Sequence, residues 1–188
     1  MKGLLIVDIQ NDFCQGGSLE ISQSNEIIPV INNLIEYFKK KNLFIVGTKD
    51  YHPENHISFS YWPVHCVENT FGSEFHPELN KFSNIVLKGT DLKIDSYSGF
   101  FDNEYRKQTN LDSLLKEHNV TDLYIVGLAT DYCVKYTVLD ALALKYNVFV
   151  ITDGCKGVNI NSLDSDNALL EMQEKGAVLI KSSDLLKN

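Results

Sequence analysis

Residues 123–142 read LYIVGLATDYCVKYTVLDAL, in which an apolar run passes through a short polar turn into a helix-like pattern. Thr130 and Asp131 are residue types that cap a helix N-terminus, so the pattern places Cys133 in the first helical turn. There the helix dipole favours negative charge and lowers a thiol pKa from its free value of about 8.5. A lone cysteine is also often a small buried hydrophobic residue. The other residues of the chain must therefore show whether Cys133 is a nucleophile or a core residue.

Six apolar runs spaced along the chain predict six β-strands. They lie at residues 4–7, 43–46, 85–87, 123–126, 148–151 and 177–180. Continuous apolar runs that alternate with helices are typical of a mainly parallel sheet covered on both faces. We therefore expect one α/β domain over residues 1–188, built as a three-layer α/β/α sandwich with a mainly parallel six-stranded sheet.

Helical patterns connect most of these runs. Besides the cysteine helix, apolar residues repeat at helical spacing over residues 27–38, around Leu111, and over residues 163–172. Asn110 is of the type that caps the second of these helices. The connection after the second run differs, because residues 47–82 form an irregular stretch that is longer than a plain connection should be. Loops of this length are usually functional.

Charge and the N-terminal sequence exclude several classes of protein. The 17 Lys and Arg residues and 25 Asp and Glu residues give a net charge of −8 without a basic stripe, so nucleic acid is not expected as a partner. Only four consecutive apolar residues precede Asp8, too few for a signal peptide core, and no stretch approaches a membrane span. The four cysteines lack CxxC spacing, which indicates free thiols in a reducing compartment. We expect a cytoplasmic protein without a membrane partner.

Chemically active side chains follow several of the predicted strands. Asp8, Asp50, Lys88, Cys133 and Asp153 each stand at or just after the end of an apolar run. Ligands of open α/β sheets bind outside the carboxyl ends of the strands, so these side chains should converge on one edge. The only histidines near a strand end lie in the long loop, which makes Asp8 the candidate base for the Cys133 thiol. An ammonium group such as that of Lys88 would favour both the carboxylate and the thiolate.

Residues 49–66 read KDYHPENHISFSYWPVHC and contain three of the five histidines of the chain. Asp50, His52, His56 and His65 therefore offer a carboxylate and imidazoles within one loop. Such a set with open positions suits Zn²⁺, Mn²⁺ or Fe²⁺ in a catalytic site, although solvated histidines of a polar loop would give the same spacing. Aromatic residues of this loop and of other strand-end loops could sandwich a flat ring, and ordinary packing explains each of them equally well. They are Phe13, Trp62 and Tyr97.

Six motifs together resemble a known family. They are LLIVDIQNDFC, TKDYHPENHISF, WPVHC, LKGTD, YSGF and GLATDYCVKYTVLDA, and they span nearly the whole chain. This combination resembles the nicotinamidases of the isochorismatase-like hydrolases. The resemblance implies an isochorismatase-like fold and an amidohydrolase that converts nicotinamide to nicotinate and ammonia, as in NAD salvage, through a cysteine thioester.

The resemblance also implies roles for individual residues. Asp8 matches the base of the family, Lys88 its active-site lysine and Cys133 its nucleophile. Leu128 and Ala129 match a pair that the family joins by a cis peptide. The N–H groups of Ala129 and Cys133 would then bind the developing oxyanion.

A metal site and a ring pocket follow from the same resemblance. Asp50, His52 and His65 match the metal ligands, while His56 fits a fourth position that varies among members. Zn²⁺ is the expected ion, with Mn²⁺ or Fe²⁺ as alternatives, and it would bind the pyridine nitrogen and orient the ring. The residues expected to contact the substrate are Phe13, Trp62, Tyr97 and Leu128.

Two alternatives to this function remain open from the sequence. One is another isochorismatase-like hydrolase acting on isochorismate or an N-carbamoyl compound; those relatives generally lack the Asp50, His52 and His65 set. The other is a catalytically silent module that binds a pyridine metabolite, for which the complete set Asp8, Lys88 and Cys133 would be unnecessary. The sequence also leaves open a homo-oligomer.

Overall fold

Six parallel strands form one sheet in the computed structural model, which describes residues 1–187. In chain order the strands are β1 Lys2–Val7, β2 Phe44–Asp50, β3 Asn84–Lys88, β4 Asp122–Leu128, β5 Asn147–Lys156 and β6 Val178–Ile180. They lie across the sheet in the order β3-β2-β1-β4-β5-β6, and every neighbouring pair is parallel. The parallel α/β fold predicted from the apolar runs is confirmed.

Helices cover both faces of this sheet. They are α1 Ile28–Lys40, α2 Leu111–Glu117, α3 Lys135–Ala143, α4 Asp164–Glu174 and α5 Ser182–Leu186. On β1, Leu4 and Ile6 pack into the core shared with α1 and α5, while Leu5 and Val7 pack into the core shared with α2, α3 and α4. Successive side chains of a strand point to opposite faces, so the central strand alone contributes to both cores. The result is the expected three-layer sandwich.

The edges of the sheet differ from the sequence prediction. On the edge strand β3, Ile85 and Leu87 are each 44% exposed, so this run is not buried on both faces. Helix α5 was not predicted, because it is a single short turn without apolar periodicity. Asp153 was expected at the reactive edge, but its carboxylate instead accepts hydrogen bonds from the N–H of Ser182 at 2.8 Å and from its hydroxyl at 2.6 Å. It therefore holds the start of α5 and does not join the other candidates.

The helix starts also differ from the expected caps. Cys133 lies in a π-helical turn, Thr130–Val134, which leads directly into α3. No side chain caps this turn; the Asp131 carboxylate instead accepts the N–H groups of Val158 and Asn159, at 2.9 and 2.8 Å. Asp131 thus ties the loop after β5 to the turn that carries Cys133. Asn110 occupies the N-cap position of α2 without a side-chain hydrogen bond.

The long loop after β2 is pinned to the sheet rather than loose. Isolated β-bridges pair His52 with Val67 and Gln10 with Phe75, and 3-10 turns occupy Ile57–Ser60 and Phe71–Ser73.

The four cysteines are free and buried, which confirms the prediction of free thiols. Across residues 1–187 the helices are all too short or too polar to cross a membrane.

Candidate active site

Asp8, Lys88 and Cys133 meet at the carboxyl edge of the sheet. Asp8 directly follows β1, Lys88 is the last residue of β3, and Cys133 lies in the π-helical turn after β4. The Lys88 Nζ atom lies 3.0 Å from Asp8 Oδ2 and 3.4 Å from Cys133 Sγ. All three side chains are buried. The parallel strands therefore bring together the acid, cation and thiol that the sequence selected.

Lys88 is held by two further oxygen atoms. Its Nζ donates to Asp50 Oδ1 at 2.5 Å and to the carbonyl of Ser96 at 2.9 Å. Burial alone would lower the pKa of Lys88, but the carboxylates of Asp50 and Asp8 outweigh burial and raise it well above its usual value. The ammonium therefore stays charged, and its charge is shared between two carboxylates.

Asp8 has the environment of a base. Its backbone is left-handed, with φ of 51°, as the chain leaves β1. The Thr48 hydroxyl donates to Asp8 Oδ1 at 2.7 Å. In the part of the chain that the structure describes, Asp8 Oδ2 has no hydrogen-bond partner and forms an ion pair with Lys88 Nζ at 3.0 Å. Burial raises the pKa of Asp8 to about 6, against the lowering effect of Lys88. The free oxygen can therefore accept a proton near neutral pH.

The pKa of Cys133 differs from the sequence prediction. The helix start was expected to lower it, but burial raises it well above its ordinary value, and Asp8 and Asp50 add to the increase against the opposing charge of Lys88. A thiolate here would be a third anion beside a single lysine, which is why the thiol is favoured at rest. Attack by Cys133 therefore requires a partner that removes the proton.

A candidate metal site lies next to Lys88. Ligand atoms of Asp50, His52 and His65 all lie within 4.8 Å of one another. The Nδ1–H groups of His52 and His65 donate to the carbonyls of Gly89 and Pro63, at 2.8 and 2.7 Å, which leaves each Nε2 with a free lone pair. Among residues 1–187, His52 Nε2 is buried without a hydrogen-bond partner, with Asp50 Oδ2 3.6 Å away. This donor set and its orphaned nitrogen fit a divalent metal ion.

Two neighbours of the metal site hold its ligands. A Cβ atom at Gly89, whose φ is +62°, would lie 2.4 Å from the His52 ring, so only glycine allows this carbonyl to support the imidazole. The Gln10 amide is fully buried, donates to the Asp50 carbonyl at 2.7 Å and accepts the Asp50 N–H at 2.8 Å. Gln10 thus fixes the backbone of a ligand, a role that sequence reasoning missed.

His56 is not grouped with the other three candidate ligands. Its ring stacks on that of His52, with centroids 4.1 Å apart and an interplanar angle of 15°, whereas His52 and His65 are almost perpendicular, at 85°. The stacked pair therefore turns ring faces, and not ligand nitrogens, toward each other. The Ser58 N–H also donates to His56 Nδ1, at 3.3 Å. The structure instead groups His56 with His52 and Asp95.

A cavity that is open to solvent adjoins this cluster. The four residues expected to contact the substrate all line it, together with Ala129 and Cys133; they are Phe13, Trp62, Tyr97 and Leu128. The Trp62 indole N–H donates to the Tyr97 hydroxyl at 3.3 Å, which fixes two aromatic walls relative to each other. The peptide between Leu128 and Ala129 is cis, as the resemblance implied. Asp95 also lines the cavity and was not selected from the sequence.

Comparison with known proteins gives full-length similarities. The family model described as Isochorismatase domain matches residues 2–184. A nicotinamidase of Escherichia coli (strain K12) is 43% identical over 204 residues, covering 97% of this chain and 96% of that protein. A nicotinamidase/pyrazinamidase structure from Acinetobacter baumanii has a TM-score of 0.92 and 38% identity, covering 98% of this chain and 97% of that one. The pyrazinamidase of Pyrococcus horikoshii in complex with zinc has a TM-score of 0.87 and 40% identity, covering 96% and 98%.

The ring orientations predict unequal losses of metal from two histidine variants. Changes outside the ligand shell cost about 10–100-fold in metal affinity, so removing a direct ligand by His65→Ala should cost at least about 100-fold. His56→Ala should change affinity by less than about threefold, because its ligand atom is grouped with His52 and Asp95 and not with Asp50 and His65. Zinc titration of both variants checks this, with exposed His118→Ala as the control for loss of a histidine. Equal losses in both variants would make His56 a full ligand.

Proposed function

The chain belongs to the isochorismatase family and is an amidohydrolase of the nicotinamidase type, and from this premise we propose how its residues convert nicotinamide to nicotinate and ammonia. The observation that carries the proposal is the buried contact of Lys88 with both Asp8 and Cys133, at 3.0 and 3.4 Å, beside a cavity walled by aromatic side chains. Only a reaction at the thiol uses all three groups.

In the first half of the reaction Asp8 accepts the Cys133 proton and the sulfur attacks the carboxamide carbon. The negative charge that forms on the carbonyl oxygen would be bound by the N–H groups of Ala129 and Cys133. Asp8 then returns the proton to the amide nitrogen, the C–N bond breaks, and ammonia leaves. The product of this half is a nicotinoyl thioester on Cys133.

In the second half a water molecule takes the place of ammonia. Asp8 removes a proton from this water as its oxygen attacks the thioester carbon, and the C–S bond breaks. Asp8 returns this proton to the Cys133 sulfur, and the acid loses the remaining proton of the water to solvent and leaves as nicotinate. Lys88 keeps its charge throughout, which lets Asp8 alternate between its two protonation states while Asp50 stays ionised. Burial raises the pKa of Asp50, but its charged surroundings, with Lys88 as the leading influence, hold the pKa well below its usual range.

The ring is positioned by the cavity walls, with Phe13 and Trp62 on its faces and Tyr97 and Leu128 at its margins. A divalent ion held by Asp50, His52 and His65, which we propose to be zinc, would bind the pyridine nitrogen and so fix the distance from ring to thiol. Pyrazinamide has the same carboxamide and a ring nitrogen at the same place, so the site should also accept it. The four free thiols favour a reducing compartment, and we propose the cytoplasm.

Removing the nucleophile should separate turnover from binding. Cys133→Ala should lower ammonia release from nicotinamide by at least about 10³-fold, because no thioester can form, while ligand binding persists. The buried Cys155→Ala variant is the matched control and should remain active. Ammonia release and titration calorimetry on each purified protein measure both properties. Turnover by Cys133→Ala at a rate comparable to that of the wild type would contradict the covalent mechanism, and a wild-type protein inactive on nicotinamide would contradict the proposed substrate.

The protonation of Asp8 should set the acid side of the pH profile. The pKa of Asp8 is raised to about 6, so the base is ionised above this pH and protonated below it. The value of kcat/KM should therefore be flat near neutral pH and fall about tenfold per unit below about pH 6. Metal content measured at each pH separates this loss from metal dissociation. A profile that is flat from pH 5 to pH 8 with metal retained would rule out Asp8 as the base.

A further inference from the structure

The cavity carries negative side chains and no positive ones. Among the described residues that line it, the charged ones are Asp50 and Asp95, and none is lysine or arginine. Lys88 lies behind Cys133, and its charge is already shared by Asp8 and Asp50. The cavity thus has no cationic partner for an anionic ligand other than the metal ion it would hold.

Asp95 is fixed at the wall of this cavity. Its Oδ1 accepts the N–H of Ser96 at 2.7 Å, and its carbonyl accepts the N–H of Asn103 at 2.8 Å. The same Ser96 presents its carbonyl to Lys88, at 2.9 Å, so the loop is tied to the catalytic cluster. Among the described residues, only one oxygen of the Asp95 carboxylate accepts a hydrogen bond. Asp95 therefore holds a carboxylate in a defined place beside the cavity.

The charge of Asp95 acts on groups around the cavity. Burial raises the pKa of Tyr97, and the Asp95 carboxylate raises it further. Asp95 lines the same cavity as Cys133 and the aromatic walls, so its charge and that of a ligand placed there interact at short range, where salt screens them incompletely. The Asp95 carboxylate would therefore weaken the binding of an anion in the cavity and leave that of an uncharged ligand unaffected.

The substrate and product of the proposed reaction differ in charge. Nicotinamide is neutral, whereas nicotinate carries a carboxylate at neutral pH, as do isochorismate and N-carbamoyl amino acids. Resting on the proposed function, we propose that Asp95 is a specificity-determining residue that disfavours anionic ligands. It admits the neutral aromatic amide, weakens the binding of acids and promotes release of the nicotinate product.

A second role for Asp95 would give a different result. Its carboxylate lies within 4.8 Å of ligand atoms of His52 and His56, so it could contribute to metal binding. In that case its removal would lower the metal content and weaken nicotinamide and nicotinate alike, since both ligands share the pyridine nitrogen. Charge repulsion by Asp95, in contrast, weakens the binding of nicotinate and leaves that of nicotinamide unchanged.

Nicotinamide and nicotinate binding, measured with and without the substitution Asp95→Asn, distinguishes charge repulsion from metal binding. Asp95→Asn keeps an oxygen that can accept the Ser96 N–H and removes only the charge. The substitution is made in zinc-loaded Cys133→Ala protein, in which nicotinamide is not consumed, and dissociation constants are measured by calorimetry. Glu54→Gln, an exposed position in the loop between His52 and His56, is the control for loss of one negative charge outside the cavity.

The expected result is a selective gain in nicotinate binding. The ratio of the dissociation constants of nicotinate and nicotinamide should fall roughly five- to tenfold in Asp95→Asn, and by less than about twofold in Glu54→Gln. The effect should shrink in 0.5 M salt, roughly where screening shortens the Debye length to a few ångströms. An unchanged ratio, or equal weakening of both ligands with loss of zinc, would overturn the inference. Failure of Cys133→Ala protein to bind either ligand would instead count against the proposed function.

Discussion

The buried ammonium of Lys88 is the interaction on which the rest of the site depends. It contacts Asp8, Asp50 and Cys133 from the end of the edge strand β3, and all four side chains are buried, so water solvates them little. A single positive charge faces two carboxylates, which leaves one negative charge in excess and favours a neutral thiol and a base whose pKa is raised to about 6. Removing one charge from such a cluster leaves its partners buried and unpaired, which lowers the stability of the folded protein. The three strand ends must therefore stay in register.

Much of this arrangement could be predicted from sequence because parallel strands place their carboxyl ends on one edge. The apolar runs located the strands, and the residues that follow them, Asp8, Asp50, Lys88 and Cys133, are the ones the structure brings together. Asp153 shows the limit of the rule, since a residue after a strand can equally hold the start of a helix. Ile85 shows a second limit. Its exposure follows from the edge position of its strand, and a single apolar run does not encode the order of the strands in the sheet.

The remaining features depend on loop geometry and on the sum of many charges. Asp95 and Gln10 act through contacts made by irregular backbone, for which no periodic pattern exists. The one signal for Gln10 in the sequence is its place two positions after Asp8. The stacking of His56 on His52 follows from the turn at Ser58 and not from spacing. The thiol pKa was predicted in the wrong direction because the helix start is a weaker influence than burial beside two carboxylates.

The most direct test of the central claim measures how Lys88 controls the Cys133 thiol. Lys88→Met keeps the length of the side chain and removes its charge, so the pKa of Cys133 should rise further and alkylation of this residue by iodoacetamide at neutral pH should slow. Lys49→Met is the control and should leave the rate unchanged. Lys49 is a buried lysine of β2, the strand next to β3, and its Nζ lies 3.0 Å from the Glu74 carboxylate. Mass spectrometry of the Cys133 peptide over a pH series gives the rate for each protein. A Lys88→Met protein that folds and alkylates like the wild type at every pH would show that Lys88 does not set the charge balance of the site.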